Sequence, residues 1–224
     1  MIHPRVVALL AVCAVAVAVL IWADYRQRAT LRASAKLTAS AAFVSLGLLT
    51  KPELASSMAP VWPWIMLGLV LGAVGDAALL SERATMFLIG LVVFLMGHLA
   101  YVVGFSRIAY WPPNAVGWAA IIVVCLTSTL ALRWLWPHLG SMRVAVMAYI
   151  GVISAMVVAA ALLSQSAVAS TASNTLAVVG SLLFYVSDLA VARDKFVVST
   201  WKNRAWGLPA YFAGQCCIAL AMGQ

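Results

Sequence analysis

Residues 6–23 have the sequence VVALLAVCAVAVAVLIWA, a run of eighteen apolar side chains without a single charge. A transmembrane helix needs about 20 predominantly apolar residues, with a range of about 17–25, so this run is long enough to cross a bilayer. It is also longer than the apolar region of a secretory signal, which has about 7–15 residues. We therefore interpret it as a first membrane span and not as a cleaved signal.

Similar runs recur along the whole chain, separated by short polar or basic connectors. A helix satisfies its own backbone hydrogen bonds, so each run can cross the hydrocarbon layer. The long run 144–187 is interrupted by the polar sequence QSAVASTASN at residues 165–174, which predicts two spans there. The predicted fold is an all-α polytopic membrane bundle, with residues 1–224 as one transmembrane domain. The eight predicted spans lie near residues 6–23, 35–49, 61–80, 84–105, 114–132, 144–163, 174–192 and 205–222.

Composition supports the same class of protein. The chain is 65% hydrophobic and 9% charged, with a mean hydropathy of +1.05, whereas a soluble domain has about 25% charged residues. The net charge of +8 does not indicate a nucleic-acid partner, because the basic residues lie in connectors between apolar runs. The bilayer itself is the expected surrounding of this chain.

The distribution of basic residues predicts the orientation. Eleven of the fourteen Lys and Arg residues flank the connectors after predicted spans one, three, five and seven. Basic connectors stay in the cytoplasm, so these connectors are expected to be cytoplasmic and both termini to face outward.

The four cysteines predict neither a disulfide framework nor a metal site. They lie inside apolar runs and form no C-x-x-C pair, so we expect buried thiols that behave as small apolar side chains. The cysteines are Cys13, Cys125, Cys216 and Cys217.

Asp76 and Asp188 are ionisable residues inside predicted spans three and seven. Charged side chains are costly in a membrane and usually face the bundle interior or a water-filled cavity. Both spans run in the same direction, and the two residues lie about 10 Å and about 8 Å from the cytoplasmic end at 1.5 Å per residue. We predict that they share one cavity; a structural role, bonding neighbouring helices, is the alternative.

Further polar side chains fall at the same depth or deeper in the predicted bundle. They are Lys36, Ser40, His98, Tyr101, Tyr149, Tyr211 and Gln215. Gln215 follows Tyr211 by one helical turn and therefore shares its face. Taken singly, these residues have ordinary alternatives: His98 can bond a neighbouring helix, and Lys36 can extend to the membrane interface.

These residues lie in segments that resemble the YhhN family of membrane proteins, which includes the lysoplasmalogenases. The resemblance covers roughly residues 36–220, with one departure: Lys36 is followed by Leu37 where the family often has Pro. The matching segments are KLTASAAF (36–43), GDAALL (75–80), GLVVFLMGHLAY (90–101), VMAY (146–149), SDLA (187–190), KF (195–196) and YFAGQ (211–215).

The resemblance implies an enzyme that hydrolyses the vinyl ether bond of lysoplasmalogen to a fatty aldehyde and a glycerophospho-base. It implies Asp76 and Asp188 as catalytic residues, and a lysophospholipid-type substrate bound by the other polar residues above. No metal and no cofactor are expected, and a bacterial inner (plasma) membrane is the expected location. Vinyl ether hydrolysis requires an acid that protonates carbon and a group that stabilises the cation or activates water, as at glycosidic bonds.

Two other classes of protein remain open from the residues alone. Intramembrane Asp and His also suit a small proton-coupled transporter. A non-catalytic lipid-binding protein is the other alternative, and it predicts no turnover that depends on either Asp.

Overall fold

The computed structural model describes residues 3–163, 165–166 and 169–223. Within this part of the chain the predicted all-α fold is confirmed, and no strand is present. The α-helices are α1 (Pro4–Tyr25), α2 (Ala29–Leu49), α3 (Trp62–Ala78), α4 (Ala84–Ser106), α5 (Ala115–Leu135), α6 (Arg143–Leu163), α7 (Thr171–Ala192) and α8 (Trp201–Leu220). A π-helical segment, Arg193–Val197, continues α7.

Six of these helices are long and apolar enough to cross a membrane, namely α1 and α4 to α8. The protein is therefore an integral membrane protein built as a helical bundle. Helix α3 is apolar but has 17 residues, which gives about 26 Å at 1.5 Å per residue, against a hydrocarbon core of about 30 Å. Helix α2 carries Arg32 and Lys36 besides several Ser and Thr residues. A full crossing by α2 and α3 stays a prediction.

Helices α2 and α8 begin furthest ahead of the apolar runs. Helix α2 begins at Ala29 where the predicted span begins at residue 35, and α8 begins at Trp201 where the predicted span begins at residue 205. A helix needs backbone hydrogen bonds and not apolarity, so it continues past the hydrocarbon edge through Arg32 and Arg204. Both extensions bring these basic side chains to the same end of the bundle.

The helices form a closed ring in the order α1, α2, α3, α4, α6, α7 and α8, with α8 returning to α1. Helix α8 also packs against α2 and α3, whereas α5 lies outside the ring, chiefly against α6. The polar side chains of α2, α3 and α8 are thus brought together on one side, and those of α4, α6 and α7 on the other.

Glycines on α3 allow the close approach that this packing requires. A Cβ at Gly68 would clash with the ring of Tyr101, and one at Gly72 would clash with the amide of Gln215 and lie 3.1 Å from the Tyr211 hydroxyl. Small residues let membrane helices approach closely. Here they place two aromatic side chains and one amide directly against the backbone of α3.

All four cysteines are free thiols. The sulfurs of Cys13 on α1 and Cys216 on α8 lie 3.7 Å apart in the interior. Cys125 is exposed, contrary to the expectation that it is buried. The reason is that its helix, α5, packs mainly on one side, so the rest of its surface faces outward.

Candidate active site

A cavity of about 570 Å³ opens at one end of the bundle, within the size range of about 300–1,000 Å³ for small-molecule sites. Helices α2, α3, α4, α6, α7 and α8 line it, and apolar side chains make up most of its wall. We call the outer part, where the helices begin or end, the mouth; its charged residues are Arg32, Glu82, Asp194, Lys195 and Arg204. The mouth lies at the end that holds the connectors after α1, α3, α5 and α7.

Asp76 lies in the inner part of this cavity, with its side chain 2% exposed. The Lys36 ammonium is 3.1 Å from Oδ1 of Asp76. The hydroxyl of Ser40 is 2.7 Å from Oδ2, and the hydroxyl of Tyr211 donates to the same oxygen over 2.9 Å. An ionised carboxylate accepts and does not donate, so one ammonium and two hydroxyls provide what such a group needs. Lys36 is 8% exposed and pairs with Asp76 instead of reaching the interface.

A chain of hydrogen bonds continues from Asp76 into the bundle. The Gln215 amide nitrogen donates to the Tyr211 hydroxyl over 3.2 Å, and the Tyr101 hydroxyl donates to the Gln215 oxygen over 2.6 Å. Each proton in this chain points toward Asp76. Gln215 and Tyr101 are 0% and 1% exposed, so this chain fixes the direction of the Tyr211 hydroxyl from behind the cavity wall.

Asp188 lines the same cavity, but it has different neighbours and its side chain is 18% exposed. Its Oδ2 lies 3.4 Å from Nε2 of His98. His98 Nδ1 lies 2.7 Å from the backbone oxygen of Phe94. Because a carbonyl only accepts, Nδ1 carries a proton and donates to it. The Tyr149 hydroxyl also interacts with Asp188, and the Tyr149 ring packs edge-on against the His98 ring at 5.4 Å.

The structure separates the predicted site residues into two sets. Lys36, Asp76, Tyr149, Asp188 and Tyr211 line the cavity. The other four, which were predicted to bind substrate, are buried behind them. Ser40, His98 and Gln215 contact lining residues, and Tyr101 bonds to Gln215. Both aspartates line the cavity, but their neighbours differ.

An ion-pair network at the mouth was not predicted from the sequence. The Arg204 guanidinium lies 2.8 Å from Asp24 and 3.2 Å from Asp194. Arg32 lies 3.7 Å from Asp24, and Asn203 donates to Asp194 over 3.0 Å. The charges at the helix ends were a visible signal, but they were used only to predict orientation, and their pairing depends on the ring order of the helices.

Within the described ranges, no group of three or more His, Cys, Asp or Glu side chains is placed to hold a metal ion. The polar groups around the inner part of the cavity include the side chains of Lys36, Asp76, Tyr149, Asp188 and Tyr211, with Ser40 and His98 directly behind them.

Comparisons with known proteins give a consistent result. The model of the YhhN family matches residues 31–222. The chain is 32% identical over 159 residues to a bovine (Bos taurus) protein named lysoplasmalogenase TMEM86A, covering 70% of this chain and 64% of that one. It is 32% identical over 154 residues to a Mycobacterium bovis protein named lysoplasmalogenase, covering 67% and 55%.

A more distant relative is a lysoplasmalogenase homolog from Dictyostelium discoideum, 26% identical over 193 residues, covering 72% of this chain and 63% of that protein. The chain thus spans less than two thirds of the length of each of these three relatives. No solved structure matches it.

Proposed function

The chain belongs to the YhhN family, and we propose that it hydrolyses the vinyl ether bond of a lysoplasmalogen-type lysophospholipid inside the membrane. The names of the matched relatives support this activity. The observation that carries the proposal is the presence of two buried carboxylates on one cavity, each with a different hydrogen-bonding environment.

The proposed reaction has three steps. A proton is transferred to the β-carbon of the vinyl ether, and the electrons of the double bond leave an oxocarbenium ion at the carbon bonded to oxygen. Water adds to that carbon and loses a proton, which gives a hemiacetal. The hemiacetal collapses to a fatty aldehyde and the hydroxyl of the glycerophospho-base. One water is consumed. During the collapse the base passes the proton that it took from water to the leaving oxygen, and the hemiacetal hydroxyl returns a proton to the acid.

We assign the proton donor to Asp188. Its Oδ2 faces Nε2 of His98, and His98 Nδ1 already donates to the Phe94 carbonyl. Nε2 of the neutral ring is therefore an acceptor, and one proton held between the two side chains satisfies both. Burying two opposite charges costs more than burying a neutral pair, and His98 is 1% exposed. A protonated Asp188 beside neutral His98 supports the donor role.

We assign the second role, stabilising the cation and accepting a proton from water, to Asp76. The Lys36 ammonium, the Ser40 hydroxyl and the Tyr211 hydroxyl favour its ionised form, because hydrogen bonds to a charged acceptor are stronger than those between neutral groups. A fixed carboxylate stabilises positive charge that develops in the transition state. Its distance from bulk water strengthens that interaction.

We further propose that the mouth faces the cytoplasm, that both termini lie outside, and that the membrane is a bacterial plasma membrane. The distribution of Lys and Arg supports this orientation. A reporter that works only outside the cytoplasm is expected to be active when it is fused to the C-terminus, and one that works only in the cytoplasm is expected to be inactive there. The opposite pattern would reverse the orientation.

The activity is tested with the purified protein in lipid nanodiscs, using a vinyl ether lysolipid and, as the matched control, an acyl lysolipid with the same head group. We expect fatty aldehyde to form from the first and no fatty acid to form from the second. Release of fatty acid from the acyl lysolipid, with no aldehyde from the vinyl ether, would contradict the proposal.

A further inference from the structure

We propose that Lys195 and Glu82 form a head-group subsite at the mouth, in which Lys195 binds the phosphodiester and Glu82 binds the amine of the lipid. This inference rests on the proposed function. The head group itself does not react, and its recognition is assigned to residues outside the reaction centre.

The basic residues that line the cavity differ in whether a carboxylate lies beside them. Among the described residues that line the cavity, four are basic, and three of them have a carboxylate within 4.0 Å. These three are Arg32, Lys36 and Arg204. Lys195 differs, because its neighbour is the ring of Phe87, with Nζ 4.3 Å from the ring centroid. Its positive charge is therefore available to an anion that enters the mouth.

The backbone holds Lys195 in a fixed place. It lies in the π-helical segment Arg193–Val197, and π-helical turns frequently occur at functional sites. The Asp194 carboxylate accepts from the Thr200 amide over 3.0 Å, besides its bonds to Asn203 and Arg204. The segment is therefore tied to the start of α8, and the exposed ammonium of Lys195 lies over Phe87 at the rim of the cavity.

Glu82 is the carboxylate that corresponds to Lys195 in this subsite. Four carboxylates line the cavity in the described part of the chain. Asp76, Asp188 and Asp194 each have a basic partner within 4.0 Å, whereas Glu82 has none there. One unneutralised ammonium and one unneutralised carboxylate at the mouth match a zwitterionic head group, which carries a phosphodiester and an amine.

The position of this subsite agrees with the proposed positions of the other parts of the substrate. The polar head group stays at the mouth, beside water and the membrane interface. The reacting bond lies deeper, between Asp76 and Asp188. The hydrocarbon chain lies along the apolar wall that includes Leu91, Ile150 and Ile153. Polar residues at the two ends of one cavity thus bind different parts of one lipid.

The test uses three alkenyl glycerol substrates with the same hydrocarbon chain: one with phosphoethanolamine, one with phosphate alone and one with neither. For Lys195→Gln we expect KM to rise about tenfold or more for both phosphate-bearing substrates, since hydrogen bonds to charged groups contribute about 1.5–3 kcal/mol. The phosphate-free substrate and kcat should be unaffected. For Glu82→Gln we expect KM to rise only for the phosphoethanolamine substrate.

Lys202→Gln is the matched control, because Lys202 is exposed at the same end of the bundle but does not line the cavity. It should change none of the three KM values. An unchanged KM in Lys195→Gln, or an equal rise for the phosphate-free substrate, would overturn the subsite. An equal rise for the amine-free substrates in Glu82→Gln would overturn the role of Glu82.

A binding measurement separates this inference from the proposed function. Calorimetric titration with a saturated ether lysophosphatidylethanolamine, which contains no vinyl ether to cleave, tests the subsite even if the wild-type protein releases no aldehyde. Weaker binding in Lys195→Gln supports the subsite, and equal binding contradicts it. Inorganic phosphate is the second titrant: if it binds through Lys195 as tightly as the lipid does, the site is one for free phosphate and the head-group assignment is wrong.

Discussion

The two carboxylates of the cavity lie in opposite surroundings. Asp76 has a salt bridge to Lys36 and hydrogen-bond donors on Ser40 and Tyr211, and its side chain is 2% exposed. Asp188 has Nε2 of His98 3.4 Å from its Oδ2 and the Tyr149 hydroxyl beside it, and its side chain is 18% exposed. The same residue type thus meets an ammonium and two hydroxyls on one wall, and an imidazole and one hydroxyl on the other.

In the proposed mechanism, this difference lets two residues of one kind take different roles in one reaction. Environment decides which carboxyl group carries a proton, as it does in glycosidases that use two carboxylates. The Asp76 wall consists of α2, α3 and α8, which are packed closely through glycines. The Asp188 wall consists of α4, α6 and α7 and is more open to the cavity. Changes to the two walls are therefore expected to have different consequences.

The largest effect is expected from Asp188→Asn. The amide keeps the size of the side chain but has no acidic proton, and a positioned acid typically contributes about 10²–10⁴-fold. Aldehyde release should fall by that factor while the melting temperature stays near that of the wild type. Glu53→Gln is the control, since Glu53 is exposed and lies outside the cavity. Near-normal turnover in a folded Asp188→Asn protein would exclude Asp188 as the donor.

The second effect concerns stability on the Asp76 wall. Asp76→Asn should lower turnover by about 10²-fold, the lower end of the same range, and also leave the Lys36 ammonium buried without its partner, which costs roughly 3–5 kcal/mol. Lys36→Met should destabilise similarly, because it leaves Asp76 unpaired. The double variant should be more stable than either single variant but no more active than Asp76→Asn. Thermal unfolding of all three measures this coupling, and simple additivity of the two losses would show that the ion pair does not stabilise this wall.

A smaller effect is expected from Gly72→Ala. The added Cβ would clash with the Gln215 amide and crowd the Tyr211 hydroxyl, and overpacking costs about 1–3 kcal/mol. Turnover should fall because the hydrogen bond from Tyr211 to Asp76 is displaced. Gly151→Ala is the matched control, since a Cβ there meets nothing within 4 Å. If the two alanine variants behave alike, the close approach of α3 and α8 has no role in the site.

The smallest effect is expected from Tyr211→Phe. This change removes one of the hydrogen bonds to Asp76 and keeps the ring that packs against Phe94 at 5.7 Å. A single hydrogen bond contributes about 0.5–1.5 kcal/mol net, so turnover should fall about two- to tenfold, with Lys36 still holding the carboxylate. A loss as large as that of Asp76→Asn would make Tyr211 itself the principal catalytic group.

Much of the fold could be predicted from the sequence, because apolar runs of 15 to 22 residues with at most one charged residue have few alternatives to membrane helices. The ends of α2 and α8 could not be predicted in the same way. Arg32 and Arg204 lie outside the apolar runs but inside the helices, and no apolar pattern marks a helix that continues into the interface.

The site was partly predictable for a related reason. An Asp in an apolar run is costly wherever its helix packs, so Asp76 and Asp188 could be chosen as candidate site residues without coordinates. Their partners could not be assigned, because the contacts of Lys36 with Asp76 and of His98 with Asp188 depend on the order of helices around the ring. The same order decides that Arg204 is neutralised and that Lys195 is not.

The most direct test of the account asks which carboxyl group is protonated in the resting protein. Infrared spectroscopy of the protein in nanodiscs at neutral pH measures the C=O stretch of protonated carboxyl groups. The account predicts a band in the wild type that is absent in Asp188→Asn and retained in Asp76→Asn. Loss of the band in Asp76→Asn and its retention in Asp188→Asn would contradict the assignment of the two roles.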